Sequence, residues 1–414
     1  MSKKKRVLML GAGAQGTTVC RCLEKEENVG EIICGDYDIN AATLLASGLS
    51  KAKAKQVNAR DIKSIIEAAQ GCDLMVVALP LDFGKNVLGA ALECKCNYQD
   101  FAAMEDLDPD WVKCVEIMLN EYSPKFAAND RLAVIGTGSA PGVMCVVARK
   151  AVEPLDECDT IACMVYEGTR TKRFIPFFWS PEVALCDMEE DAYAFENCQH
   201  IRTKPFSRPI KRNWPECGRE VKLVEHAHDE PVYIGFNREK YFKGCKNAYF
   251  KYGGTGIEFS EGLYKAGLLH HEPEEFNGHE IVPFDWILKH IPNPPKDPEV
   301  IKAIIDEGIV EDNGAFVCEA YGTKDGKKIM VDLHLNAPGL EESYERAKMT
   351  GEMYLTGQGA FLYTKLLVND MVPQKGLISS DMLDDKQVEQ YLAWAKEWGI
   401  TYDIEIKEGK VWEE

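Results

Sequence analysis

Val7-Leu8-Met9-Leu10-Gly11-Ala12-Gly13-Ala14-Gln15-Gly16 joins a run of apolar residues to three glycines spaced Gly-x-Gly-x-x-Gly. Residues 5–10 read as a buried strand, and the glycines as the turn opening a helix to about Lys25. Gly11 permits the tight turn, Gly13 lets a pyrophosphate approach the backbone, and Gly16 lets helix and strand pack closely. The helix start adds free N–H groups and a partial positive charge. Such spacing alone is weak, but Asp36 ends the next apolar strand, residues 31–36, twenty residues past Gly16. That is the place of a ribose-binding acid, so the segment reads as a dinucleotide cradle.

Outward from the turn, strands and helices alternate. Helix 40–50, strand 54–58, helix 61–69 with Asp61 as its cap, and strand 73–78 come first. Helix 82–93, a short strand at 96–98, helix 109–127 and strand 131–136 follow. Strands apolar on both faces with helices between them predict an α/β chain whose N-terminal part is a doubly wound parallel (Rossmann) sheet. Beyond residues 146–153 the alternation stops. Residues 158–167 read as a strand, and 315–321 and 328–335 flank Thr323-Lys324-Asp325-Gly326 as a hairpin. An α+β substrate domain with a mostly antiparallel sheet is expected there. The helical stretch 339–372 is expected to return to the nucleotide domain. The division is therefore 1–147 for dinucleotide binding, completed by helices within 339–372; 148–338 for substrate binding and dimerisation; and 373–414 as a C-terminal segment. A cleft between the two domains is the expected ligand site.

Composition narrows the class. The 414 residues are 45% hydrophobic and 9% aromatic, as in ordinary globular proteins. No apolar run approaches a membrane span, and the basic start MSKKKR lacks the apolar region of a signal peptide. Fifteen cysteines without a framework spacing fit a reducing compartment, so the expectation is a soluble cytoplasmic protein. With 67 acidic and 48 basic side chains the net charge is −19, which disfavours nucleic acid and anionic membranes as partners. A small-molecule partner is expected. His226-x-His228 and His270-His271 lack further ligands at zinc-like spacing, so no metal is expected and the histidines read as surface or packing residues.

Asp36 bears on the cofactor, because a carboxylate accepts from both ribose hydroxyls and repels a 2′-phosphate. With Tyr37 and Asp38 beside it, NAD is favoured over NADP, and Arg60 is the one nearby cation that opposes this. Two dinucleotide-binding families fall away. Tyr344-Glu345-Arg346-Ala347-Lys348 has the Tyr-x-x-x-Lys spacing of short-chain dehydrogenases but lies far from the glycines. Where sugar oxidoreductases carry Glu-Lys-Pro, the chain has Cys96-Asn97-Tyr98-Gln99-Asp100.

A run of short segments points elsewhere. They are Gln56-Val57-Asn58-Ala59-Arg60-Asp61, Val77-Ala78-Leu79-Pro80, Asn97-Tyr98-Gln99-Asp100 and Gly136-Thr137-Gly138-Ser139-Ala140-Pro141-Gly142. Phe178-Trp179-Ser180-Pro181, His228-Asp229-Glu230-Pro231-Val232, Phe250-Lys251-Tyr252-Gly253-Gly254 and Met353-Tyr354-Leu355-Thr356-Gly357 continue it. In this order the chain resembles the saccharopine dehydrogenase-like family, which includes saccharopine reductases, lysine 6-dehydrogenases and carboxynorspermidine dehydrogenases. It departs at Lys251, where the family usually has Arg, and along 199–220 and 271–309, which match nothing in it.

The resemblance implies an NAD(P)-dependent oxidoreductase acting on a C–N bond of an amino acid or polyamine, and a homodimer through the second domain. It implies cofactor contacts at Gly11, Gly13, Ala14, Gln15, Gly16, Asp36, Tyr37, Ala59, Arg60, Ala78, Leu79, Pro80, Gly138 and Ala140. Asp100 is placed by it beside the nicotinamide, where a carboxylate would steady an ammonium or iminium. Trp179 offers a π face to a cation, and Lys251 and Tyr252 offer carboxylate contact and proton transfer. These four are the catalytic candidates. Arg170 and Arg173, with Lys172, form a basic cluster for a substrate carboxylate, and Thr356 is a further substrate contact. The basic run 202–212 would suit a substrate with more than one carboxylate. A non-catalytic regulator or scaffold of the same fold stands as the alternative, motivated by Lys251.

Overall fold

The computed structural model describes residues 3–102 and 105–413. They form two compact units, Met1–Lys150 with Leu355–Trp398, and Ala151–Tyr354 with Gly399–Glu414.

The first unit holds a seven-stranded, wholly parallel sheet. Its strands are β1 (Lys5–Leu10), β2 (Val29–Asp36), β3 (Ala52–Gln56), β4 (Leu74–Val77), β5 (Asn97–Asp100), β6 (Leu132–Ile135) and the late strand Gly376–Ser379. The order is Gly376–Ser379, β6, β5, β4, β1, β2, β3. Leu-Met-Val-Val in β4 and Leu-Ala-Val-Ile in β6 are buried throughout, as a sheet covered on both faces requires. The order reverses at β1, which has β4 on one side and β2 on the other. Open α/β sheets bind ligands at the strand ends beside such a switch point. Helix α1 (Ala14–Leu23) starts there, and Asp61 caps the helix Ile62–Ala69 by accepting from Lys63 N.

The second unit is built on a mixed nine-stranded sheet. Asn247–Gly254 and Glu157–Glu167 run parallel, and the other pairings are antiparallel. Gly314–Lys324 and Lys327–Asn336 form the expected hairpin, with Asp325 and Gly326 both at positive φ, as a type I′ turn needs. Residues 271–309 fold into a small hairpin, Glu274–Phe276 with His279–Ile281, and the helices Pro283–Leu288 and Pro298–Glu307.

Two expectations change. The helical stretch 339–372 is broken: Leu340–Ala347 ends at Lys348, whose φ of 60° stops the helix, and Gly351–Val368 is a new one. Residues 373–414 are not a separate segment. Gly376–Ser379 pairs with β6 in the first unit, and Thr401–Glu408 pairs with Lys327–Asn336 in the second. No described helix is long and apolar enough to cross a membrane.

Candidate active site

The glycine turn divides its labour. Gly11 has φ +99°, and a Cβ there would lie 2.3 Å from Ala78 O. A Cβ at Gly16 would lie 1.9 Å from Gly11 O, so both positions are closed by packing. Gly13 differs: a Cβ would meet nothing within 4 Å, and the residue is exposed. Gly13 precedes α1 without a side-chain cap, and the first turn carries no acid. The orphan N–H groups of that turn are left for an anion. Gln15 Oε1 is a buried acceptor with no hydrogen-bond partner among the described residues. An open glycine, an uncapped helix start and an orphaned amide oxygen together fit a dinucleotide.

Asp36 accepts from Ala12 N at 2.7 Å and from Asp38 N at 2.9 Å, which fixes the carboxylate beside the turn. A carboxylate has about four acceptor sites, so capacity for ribose hydroxyls remains. Tyr37 is 72% exposed. Ala59 O accepts from Asn86 Nδ2 at 2.9 Å. Arg60 pairs with Asp82 at 3.4 Å and lies over the Phe83 ring. Gly13, Ala14, Asp36, Tyr37, Ala59, Arg60, Ala78, Leu79, Pro80, Gly138 and Ala140 all follow or close the C-terminal ends of strands β1, β2, β3, β4 and β6. In a parallel sheet those ends share one edge.

Asp100 corrects an expectation. It is fully buried and accepts from Tyr98 Oη at 2.9 Å and Gly136 N at 2.6 Å. Its carboxylate ties β5 to the turn after β6 and is not presented to a substrate ammonium. Thr356 belongs to the first unit and donates to Ser139 Oγ at 2.9 Å, bracing the loop that holds Gly138 and Ala140.

The second unit gathers a different group. Glu167 ends the strand Glu157–Glu167, and Tyr252 lies on the neighbouring parallel strand. Gly254 permits this closeness, since with φ +125° a Cβ would lie 2.1 Å from Glu167 O. Trp179 Nε1 donates to Glu167 Oε2 at 3.3 Å. Tyr252 and Glu352 lie close enough to the Glu167 carboxyl to act on it electrostatically. Burial raises Glu167 above the usual carboxylate range, against the pull of these partners and of His228. Burial and the two carboxylates push the Tyr252 phenol far above its ordinary value.

Beside them, His228 stacks on Phe250 with ring centres 3.9 Å apart. Its Nδ1 bonds to Glu230, whose side chain is fully buried. Burial alone would lower His228, but the charge and hydrogen bond of Glu230, with Asp229 and Glu167, raise it. His226 is buried edge-on to Tyr252 at 4.8 Å. Burial and then the His228 charge lower it to about 3, so it is neutral. His228 is therefore more than the surface or packing residue expected, because a buried carboxylate orients it.

The basic candidates are not part of this group. Lys251 is fully buried, with Nζ 2.7 Å from Glu225 Oε1 and 2.9 Å from Arg208 O. Side chains alternate along a strand, so it leaves on the face opposite Tyr252. Arg170 pairs with Glu311 at 3.2 Å and Arg173 forks onto Glu307. The run 202–212 is likewise satisfied internally. Arg202 lies over Tyr193, Lys204 pairs with Asp191, Arg208 with Glu196, Lys211 with Glu220 and Arg212 with Glu319. These pairs fasten strands together.

Residues 7–134 match the saccharopine dehydrogenase NADP-binding domain. Carboxynorspermidine synthase of Vibrio alginolyticus is 24% identical over 95% of this chain and 96% of its own length. Residues 7–134 thus resemble the dinucleotide-binding domain of saccharopine dehydrogenases. Saccharopine dehydrogenase (L-Glu forming) from Saccharomyces cerevisiae shares the fold, with TM-score 0.68 at 14% identity over 98% of this chain and all of that one. Homospermidine synthase from Legionella pneumophila, solved with NAD, gives 0.65 at 11% identity over 99% and 93%. The chain thus matches an NADP-binding domain over residues 7–134 and shares its fold with these two solved structures. Sequence reading missed Glu167, Glu352 and the pairing of His228 with Glu230. The signals were an acid ending an apolar strand before Gly168 and the His-x-Glu spacing; Glu352 had none.

Proposed function

We propose that the protein is an NAD(P)-dependent dehydrogenase acting on the C–N bond of an amino-acid or polyamine-type substrate, with NAD preferred. The observation that carries this is the Glu167–Glu352–Tyr252–Trp179 group. Two carboxyl groups beside an indole edge would suit a cation, because acids balance an ammonium and an aromatic ring attracts it. A substrate whose reacting nitrogen becomes an iminium passes through such a charge. Carboxynorspermidine, the compound named for the Vibrio relative, combines secondary and primary amines with a carboxylate and is the first candidate.

A bound nicotinamide supplies the hydride acceptor. The chain's own part is to hold the pyrophosphate at the Gly13–Ala14 amides, the ribose at Asp36, and the amine at Glu167. The Glu167 carboxyl, raised by burial, would be drawn back to its charged form by an ammonium bound beside it. NAD is preferred because Asp36 would repel a 2′-phosphate and Arg60 is engaged with Asp82 and Phe83. The scaffold alternative loses its motive, since Lys251 is a buried structural cation.

The test is reduced-nicotinamide absorbance with NAD and NADP separately, against carboxynorspermidine, lysine, ornithine, diaminopimelate and simple polyamines. Turnover with one amine supports the reading. NADH binding without turnover on any of them would favour the scaffold.

A further inference from the structure

We infer that Cys20 and Cys34 form a modification site: a hydroperoxide joins them in a reversible disulfide that draws helix α1 onto strand β2 and weakens dinucleotide binding. The effect on the cofactor rests on the dehydrogenase reading; the disulfide itself does not. The two sulfurs lie 3.9 Å apart and are fourteen residues apart in sequence. Cys20 is on α1 and Cys34 on β2, and both are buried. Their hydrogen bond acts in opposite directions on the two thiols. It holds Cys34 below its ordinary value, against burial. It holds Cys20 well above, and burial adds to this. The thiolate is the reactive form of cysteine, so Cys34 is the attacking sulfur and Cys20 the resolving one. Cys22 differs from both: its Sγ lies 3.3 Å from Gln358 Oε1, and burial pushes it up to about 12.

The pair stands behind the dinucleotide cradle. Cys34 precedes Asp36 by two residues on the same strand, and Asp36 accepts from Ala12 N in the glycine turn. Cys20 belongs to the helix whose first turn offers its amides to a pyrophosphate. An S–S bond is about 2.05 Å long, so closing it from 3.9 Å draws the sulfurs together by roughly 1.9 Å. The helix start has no slack to absorb this, since a Cβ at Gly16 would lie 1.9 Å from Gly11 O. The shift therefore reaches the turn and the Asp36 carboxylate. Peroxide meets the buried pair only when α1 lifts from β2, and a dinucleotide on the helix start holds α1 down. Bound cofactor should therefore protect the thiols.

The chemistry balances with one hydroperoxide. The Cys34 thiolate attacks a peroxide oxygen and the O–O bond breaks. The leaving group departs as water or an alcohol, carrying the proton that Cys34 gave up. Cys34 is then a sulfenic acid, S–OH. The Cys20 sulfur attacks the Cys34 sulfur, the S–S bond forms and the S–O bond breaks. Hydroxide leaves as water with the Cys20 proton. The two thiols lose two electrons and the peroxide gains them. An added dithiol reverses the step by thiol–disulfide exchange.

The experiment treats the full chain with hydrogen peroxide, with and without saturating NADH, then blocks remaining thiols and maps tryptic peptides without reduction. Cleavage after Arg21 separates Cys20 from Cys22, so the expected product is Val7–Arg21 linked to Glu26–Lys51. NADH present during the treatment should slow its formation. NADH affinity, read by fluorescence, should fall about tenfold in the linked protein and return with dithiothreitol. Cys20→Ser and Cys34→Ser should each bind NADH as the reduced wild type does and keep that affinity through peroxide. Absence of the linked peptide, at a peroxide dose that oxidises the exposed Cys198, would overturn the site. Linked protein with unchanged NADH affinity, or linking at the same rate with NADH present, would overturn its control of the cradle. Reduced wild type that binds no NADH would count against the dehydrogenase reading, while the peptide map still decides the disulfide.

Discussion

Trp179 donates its indole N–H to Glu167, and that one bond joins a π surface to a carboxyl that also meets Glu352 and Tyr252. Replacing Glu167 by Gln removes a carboxyl that an ammonium could hold in its charged form, while keeping a hydrogen-bonding side chain of the same shape. The expected result is a KM for the amine raised about tenfold, corresponding to about 1.4 kcal/mol, with NADH affinity unchanged. An equal rise in both constants would place Glu167 outside the amine site.

Glu167 also carries a pH signature for stability. Its folded value is raised, so the folded state binds the proton more tightly than the unfolded one. The stabilising contribution is present below the unfolded carboxylate value and is lost as pH rises through the folded value. Relative to Glu167→Gln, the wild type should therefore lose melting temperature as pH rises above the ordinary carboxylate range. Parallel curves would mean that the carboxyl is not perturbed.

Gly13 and Gly16 should behave oppositely. Gly13→Val adds bulk into open space, so the fold should keep its melting temperature while NADH affinity falls by tenfold or more, about 1.4 kcal/mol. Gly16→Ala meets backbone at 1.9 Å and should lower thermal stability itself. Fluorescence titration of NADH with parallel melts separates them.

Asp36→Ser removes the charge that opposes a 2′-phosphate. The ratio of kcat/KM for NAD over NADP should fall by about tenfold, or 1.4 kcal/mol. A wild type that already prefers NADP would contradict the role given to Asp36.

Lys251→Met leaves Glu225 buried beside its lost partner. Such a break costs about 3–5 kcal/mol, read as a lowered denaturation midpoint. Adding Glu225→Leu should restore part of it, and the double variant should bind substrate carboxylate as the wild type does.

What the sequence made legible was local. The Gly11–Gly16 turn, Asp36 at a strand end and the Asp325-Gly326 hairpin are set by nearby backbone chemistry, so spacing reveals them. Pairings across long stretches of chain were hidden. Lys251 looked like a substrate cation because nothing nearby announces Glu225, and Arg212 because Glu319 lies a hundred residues on. Asp100 stood at the right strand end, yet its side chain turns inward to Tyr98 and Gly136. Glu352 sits in a helix without a motif and becomes recognisable only beside Glu167.

The most direct measurement follows the hydride. Carboxynorspermidine deuterated at the carbons flanking its secondary nitrogen is incubated with the protein and NAD, and nicotinamide and products are read by mass spectrometry. The expected result is deuterium on the reduced nicotinamide together with a free amine and a carbonyl compound, formed about tenfold more slowly by Glu167→Gln at limiting substrate. Unlabelled NADH, or an uncleaved substrate after prolonged incubation with cofactor bound, would contradict C–N oxidation of that compound.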